Sequence, residues 1–258
     1  MMRVFLMATA ASAALIATPA LAQDAAPDVP TKVEAGQNAA PPAEAEEEAP
    51  KGPFTLTLDL AVVSDYRFRG ISLSDRDPAF QPAVTLSHES GFYVGVWGSN
   101  VADNGGSDVE IDFLAGWGGS LGPIDVDLNA TYYVYPGVED IDYVEFIATA
   151  SHEFGNLTLG ATFAYTPRQD DAAPKRGLYG AINASYAIPG TPISVNGSFG
   201  IEDNAFYGNK HDYSIGVAAD VVGFTIGANY VRATNIDRDP LGKGRIVLSI
   251  SRSFETSF

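Results

Sequence analysis

The sequence predicts an all-β chain, an antiparallel up-and-down transmembrane β-barrel of about 12 strands of the outer-membrane type. Three observations predict it. Beyond residue 53, apolar and polar residues alternate with period 2 in twelve successive segments, the mark of strands whose two faces meet different surroundings. The connections between the segments alternate strictly between short and long, as tight turns at one rim of a barrel and loops at the other would. Finally, the apolar face of these segments holds no carboxylate while the other face holds many, as lipid on one side and water on the other require. A soluble β-sandwich has similar strand spacing, but it accounts for the first observation and not for the other two.

The elements follow in order. Residues 1–22 have Arg3 as a positive start, an apolar run from Val4 to Ala17 and Ala20-Leu21-Ala22 as a small-x-small site. They read as a secretory signal peptide cleaved near Ala22/Gln23, since the run is shorter than the ~20 residues a spanning helix needs. Residues 23–53 are rich in Ala, Pro and Glu, with seven acids against two Lys. With almost nothing to bury, this stretch is expected to be a disordered periplasmic linker. Residues 54–258 form the barrel. Its clearest segment puts Phe54, Leu56, Leu58, Leu60 and Val62 on one face and Thr55, Thr57, Asp59, Ala61 and Val63 on the other. Short connections are expected at 88–91, 119–123, 154–156, 188–192 and 222–223, and long ones at 70–78, 101–107, 136–140, 167–175, 202–211 and 234–243.

Aromatic residues on the apolar face fall at segment ends. Phe54, Phe92, Trp117, Phe154, Phe224 and Phe254 lie near the short turns, and Phe80, Tyr132, Tyr165, Phe199, Tyr213 and Tyr230 near the long loops. They are the expected interfacial girdles. Arg232 and Arg252 share the lipid phase near strand ends, where a cation snorkels to headgroups; Arg232 is the candidate contact to lipopolysaccharide phosphate. The chain ends on Phe258, with Phe254 before it, and one of the two is the expected signal to barrel-insertion machinery.

Composition excludes several function classes. A formal charge of −17 gives no basic surface for nucleic acid. Zero Cys removes disulfides, thiolate metal sites and Cys nucleophiles. The mean hydropathy of +0.02 is the average of two opposite walls rather than a sign of solubility. With only His88, His152 and His211 available and no serine placed to pair with one at the outer leaflet, no enzyme is expected. No cofactor or metal is expected either, because Asp103-Asn104-Gly105-Gly106-Ser107-Asp108 lacks EF-hand spacing.

The stretch Ser64-Asp65-Tyr66-Arg67-Phe68-Arg69-Gly70-Ile71-Ser72, then Pro78-Ala79-Phe80-Gln81-Pro82 and Gly91-Phe92-Tyr93-Val94-Gly95-Val96-Trp97-Gly98-Ser99-Asn100, resembles the bacterial TorF-type porin family. The match is strongest over residues 56–135. The resemblance implies an outer-membrane barrel in a Gram-negative bacterium, acting as a channel. Two features depart from the family's pattern: the acidic linker, and Glu255-Thr256-Ser257-Phe258 after the strand where the pattern ends.

Candidate pore-lining residues are those on the inward phase: Asp59, Asp65, Glu110, Asp112, Asp125, Asp127, Glu145 and Asp220, with Arg67 and Arg69 as the inward bases. A wall about six charges negative favours cations, as rings of Asp/Glu do. Arg67 and Arg69, two apart on what reads as one strand, point the same way. They form either a constriction opposite Glu110, Asp112 and Glu145 or an ion-pair network under the first loop. Inward Tyr93, Trp97, Tyr133, Tyr135, Tyr143 and Tyr179 read either as a sugar-stacking track or as lumen packing. The expected function is passive diffusion of small polar solutes or cations across the outer membrane. The alternative is a structural or adhesive barrel with little conductance.

Overall fold

The structure, a computed structural model, describes residues 52–258 apart from 105, 139–140, 170–171, 206 and 237–238. The signal peptide and nearly all of the linker lie outside the described residues. Period-2 alternation folds as it reads, into twelve strands that pair with their neighbours in chain order, all antiparallel, and close on themselves. They are β1 (Phe54–Val63), β4 (Ala79–His88), β5 (Phe92–Asn104), β6 (Ser107–Leu121), β7 (Ile124–Val134), β8 (Tyr143–Phe154), β9 (Leu157–Thr166), β10 (Gly177–Ala187), β11 (Ile193–Asp203), β12 (Lys210–Val221), β13 (Phe224–Thr234) and β14 (Arg245–Ser257). A separate two-stranded ribbon, β2 (Arg67–Phe68) and β3 (Ile71–Ser72), lies in the first long connection.

The seam fixes the register. Leu58 lies opposite both Val84 of β4 and Phe254 of β14. Beyond the last pair of strand residues, Phe54 and Phe258 exchange both backbone hydrogen bonds at 3.2 and 3.0 Å, and their rings stack at 6.2 Å. The last four residues therefore complete the closing strand rather than trail from it. Both ends of the barrel lie at the rim of short turns.

The phase of every strand is as the pattern predicts. Ile182, Phe92 and Ile246 stand 65%, 65% and 66% exposed on the outer face. No core lies behind them, so the apolar face is the outer wall. Among the described strand residues the outer face carries Asp203, Arg232 and Arg252 as its charged groups. Asp203 ends β11; Arg252 lies over Phe224 and Phe254 at 5.0 and 4.8 Å, beside the turn at Gly223.

Three connections depart from expectation. Residues 101–107 are no long loop, because β5 and β6 continue as a ribbon past a register shift between Asn100 and Asn104. Residues 202–211 are shorter than expected, because pairing continues to Glu202↔Lys210. The first long connection begins at Ser64 and is folded, as described below. Among the short turns, Val222-Gly223 has φ of 52° and 76°, the two-residue turn that twists with its strands and favours Asn-Gly. Val222 is β-branched, 89% exposed and strained in that conformation. Val222→Asn is expected to stabilise the barrel by about 1 kcal/mol, seen as a higher urea midpoint for unfolding in detergent.

Candidate functional site

The inner wall divides into two halves. Toward the short turns it presents Thr, Ser and Asn together with Asp59, Asp125, Asp127 and Asp220, all reached by water, and Glu153 and Glu255 share the inward phase near the rim. Asp127 accepts from Tyr93 Oη at 3.0 Å and from Asn129 Nδ2 at 2.8 Å. Asp125 accepts from Ser120 at 2.6 Å, Asp220 from Thr225 at 2.6 Å, and Asp59 from Ser253. Among the described residues none of the four has an ion-pair partner, and no Lys or Arg faces inward in this half.

Toward the long loops the lumen is filled. Residues 64–78 leave β1, turn inward and run across the barrel. The ribbon reverses at Arg69-Gly70, with φ of 42° and 85°; a Cβ on Gly70 would lie 2.9 Å from Ala233 Cβ, so glycine permits the close approach to β13. Phe68 packs with Tyr133, Tyr135, Ile141, Tyr143 and Ala172, and Ile71 with Tyr207 and Ala233. Tyr66 packs with Val63, Ala79, Val101 and Val247 and lies 5.5 Å from Trp97, ring to ring. Each fully buried apolar side chain of this kind contributes about 1.5–3 kcal/mol, so the segment is held as a plug.

The charges at this level are buried with it. Arg69 sits in the left-handed region that a non-glycine residue occupies only at a cost, and its side chain uses that position to bridge two walls. It donates to Glu145 on β8 at 2.8 Å and to Glu202 on β11 at 2.7 Å. Its guanidinium also lies 4.0 Å over the Tyr179 ring. Lys210 pairs with Glu202 at 2.6 Å and donates to the Arg69 carbonyl at 2.7 Å. Glu145 further accepts from Thr166 Oγ1 at 2.8 Å and from Tyr133 Oη at 3.3 Å. Burial disfavours the charge on Arg69, but Glu145 and Glu202 outweigh that and hold it protonated above its ordinary range. Tyr179 reaches this place across Gly200, where a Cβ would come within 2.4 Å of its Oη.

Arg67 and Arg69 thus do not share a strand face, a correction to the reading of one continuous strand: β1 ends at Val63 and the two arginines belong to the plug. Arg67 points away from the acids of the wall. It pairs with Asp65 at 2.8 Å and donates to the carbonyls of Gly70 at 3.1 Å and Lys243 at 2.9 Å. Asp65 also accepts from Ser72 at 2.5 Å, so Asp65 belongs to the plug and not to the wall. Glu110 and Asp112, on β6, are completely buried beneath Tyr66, whose Oη donates to Glu110 Oε1 at 3.3 Å. Burial and then Glu110 push the Tyr66 hydroxyl well above its ordinary range, keeping it a donor.

Sequence reading missed Glu202, Lys210 and Asp212, assigning Glu202 and Lys210 to a loop. Their inward phase was the available signal, since Lys210, Asp212 and Ser214 alternate with His211 and Tyr213. Tyr133, Tyr135 and Tyr143 prove to be packing around Phe68. The predicted girdle residues all lie on the outer face near strand ends. One histidine does meet a serine: His88 Nδ1 lies 2.7 Å from Ser90 Oγ. The same nitrogen accepts the Ser90 backbone N–H at 3.1 Å, so the contact closes the β4–β5 turn. Among the described residues no His/Asp/Glu cluster could hold a metal.

The bacterial family described as "protein of unknown function (Gcw_chp)" matches residues 47–254. No curated protein matches the chain. Among solved structures, the KdgM porin superposes with a TM-score of 0.52 at 5% identity, covering 79% of this chain and 99% of that one. The KdgM porin in complex with disordered oligogalacturonate gives 0.51 at the same identity and coverage. The NanC porin gives 0.49 at 8% identity, again over 79% and 99%. The KdgM likeness is one of fold, a closed 12-stranded antiparallel barrel.

Proposed function

Since the chain belongs to the Gcw_chp family of bacterial proteins, whose function is unknown, we propose that it is an outer-membrane, porin-like channel. It passes small polar solutes, prefers cations, and rests with its external mouth closed by residues 64–78. The observation that carries this reading is the lumen itself. An acidic, hydroxyl-rich wall open to water runs from the short-turn end up to a plug that is tied by ion pairs rather than built into the sheet. A wall of Asp without Lys or Arg concentrates cations. The KdgM structure was solved with an oligogalacturonate, an acidic oligosaccharide; the wall here has the same sign, so the solute of this chain is not a polyanion. The likeness of residues 64–100 to TorF-type porins supports the same reading.

Export by residues 1–22, a periplasmic linker at residues 23–53, insertion read from Phe258 or Phe254, and lipopolysaccharide at Arg232 belong to this proposal. The plug also favours the second reading, a structural or adhesive barrel that conducts little. Refolded protein in a planar bilayer separates the two, in wild type and in a variant whose residues 66–76 are replaced by a Gly/Ser loop. Stepwise conductance in the variant supports the channel, and silence in both supports the structural barrel.

Placement in lipid has its own test. Ile182 stands at the middle of β10 on the outer face. An arginine at such a depth costs about 2–4 kcal/mol, so Ile182→Arg is expected to lower the stability of the vesicle-folded protein by that amount. The inward neighbour change Asn183→Lys is expected to cost far less, because that side chain meets water. Equal losses at the two positions would contradict a lipid-facing outer wall.

A further inference from the structure

Glu110 and Asp112 lie two residues apart on β6, point to the same side and are both completely buried. Two apart on one strand face, their side chains stand side by side, and two like charges side by side in a dry site do not both ionise. We propose that the closed plug retains one proton between Glu110 and Asp112, and that release of this proton as pH rises unseats residues 64–78. This deepens the channel reading above and rests on it.

Burial and the neighbouring carboxylate favour retention of the proton. From the plug, the Tyr66 hydroxyl donates to Glu110 Oε1, which opposes protonation of that oxygen and steadies the single charge the pair keeps. Tyr133 stands opposite Asp112 on β7, Tyr135 follows that strand, Tyr143 of β8 stacks on Tyr133 at 4.5 Å, and Glu145 lies beyond, accepting from Tyr133 Oη. From β5, Trp97 and Ser99 stand opposite Asp112 and Glu110 and do not titrate. The cations of the mouth are committed elsewhere, Arg69 to Glu145 and Glu202, Lys210 to Glu202, and Arg67 to Asp65. Glu110 Oε2 receives no N–H among the described residues. Tyr66 is part of the plug, so the group that covers the acids is also the one they hold.

The linkage has a definite sign. When the plug leaves, water reaches both carboxyl groups and both ionise, so the closed state binds one proton more than the open state. Acid therefore favours closure and alkali favours opening, by up to tenfold in the open-to-closed ratio per pH unit for one linked proton.

The test is open probability in planar bilayers from pH 5.5 to 8.5, in wild type, Glu110→Gln and Asp112→Asn, with the 66–76 replacement as the ungated reference. Wild type is expected to open progressively with pH, while each amide variant, having no proton to lose, shows a flat profile. Either amide variant suffices if the other does not fold. A flat wild-type profile, or amide variants that still titrate like wild type, overturns the proton link while a conducting reference leaves the channel reading standing. A reference that conducts at no pH overturns both.

Discussion

Arg69→Ala is expected to convert a mostly closed barrel into a mostly open one. The residue links the plug to β8 and β11 through two ion pairs whose side chains are at most 7% exposed. Removing it leaves Glu202 with Lys210 but leaves Glu145, among the described residues, with Thr166 and Tyr133 as its side-chain donors. Breaking a buried pair by deleting one partner costs about 3–5 kcal/mol, because the remaining charge stays buried and uncompensated. The plug can avoid that cost by leaving, since water then solvates Glu145. At 1.4 kcal/mol per decade, the closed-to-open ratio should fall by about two to three and a half orders of magnitude. The barrel should remain, because its twelve strands close without the plug. Single-channel recording is the measurement, with heat-modifiable gel mobility as the check on folding. Adding Glu145→Gln removes the orphaned carboxylate and should restore part of the closure. Arg69→Lys should recover less than its charge implies, since an ammonium cannot fork between two carboxylates as a guanidinium does. A folded Arg69→Ala barrel with wild-type open probability would mean that the plug does not gate.

The twelve strands were legible because a period of 2 is a geometric necessity when lipid-like and water-like surroundings lie on opposite faces. Leu56, Leu58 and Leu60 have one possible side, as do Asp125 and Asp127. The plug was illegible for the same reason. Asp65, Arg67 and Arg69 continue the alternation of β1 without a break, with Tyr66 and Phe68 on the opposite phase, so a rule that reads only phase extends the strand. What ends β1 is long-range: Ser64 exchanges hydrogen bonds with Leu248 of β14 at 2.9 Å, and the chain then turns inward. The local hint was Arg69-Gly70 flanked by Phe68 and Ile71, a two-residue turn between apolar residues. Such a turn signals a ribbon, but not that the ribbon folds into a lumen. Glu202 and Lys210 were hidden by the polar stretch between them, although each keeps the inward phase of its strand. The acids of the short-turn half needed little tertiary information, because most of their partners are hydroxyls and amides on the same or adjacent strands; Tyr93 of β5, which reaches Asp127 of β7 over Gly116 of β6, is the exception.

Those acids carry the second large expected effect. In an open background such as Arg69→Ala, the channel should pass K⁺ in preference to Cl⁻, with a reversal potential in a tenfold KCl gradient displaced toward the ~59 mV limit for a monovalent ion. Four Asp face a lumen narrower than that of the 16- to 18-stranded porins, and among the described residues no inward Lys or Arg lies in their half of the wall. Their hydrogen bonds come from Ser120, Thr225, Ser253, Tyr93 and Asn129, which orient the carboxylates without neutralising them. Asp59→Asn, Asp125→Asn, Asp127→Asn and Asp220→Asn together keep an acceptor oxygen at each position and remove only the charge. The reversal potential should then move well toward zero, with Glu153 and Glu255 near the rim keeping a remainder, and conductance in high salt should be little changed. Screening supplies an internal control. At 0.15 M salt the Debye length is about 8 Å and at 1 M about 3 Å, so the preference of the channel with its four Asp should weaken as salt rises, while the quadruple variant stays closer to zero and changes less. Anion preference in the open background, or a quadruple variant that retains the wild-type potential, would place the selectivity elsewhere than on these four carboxylates.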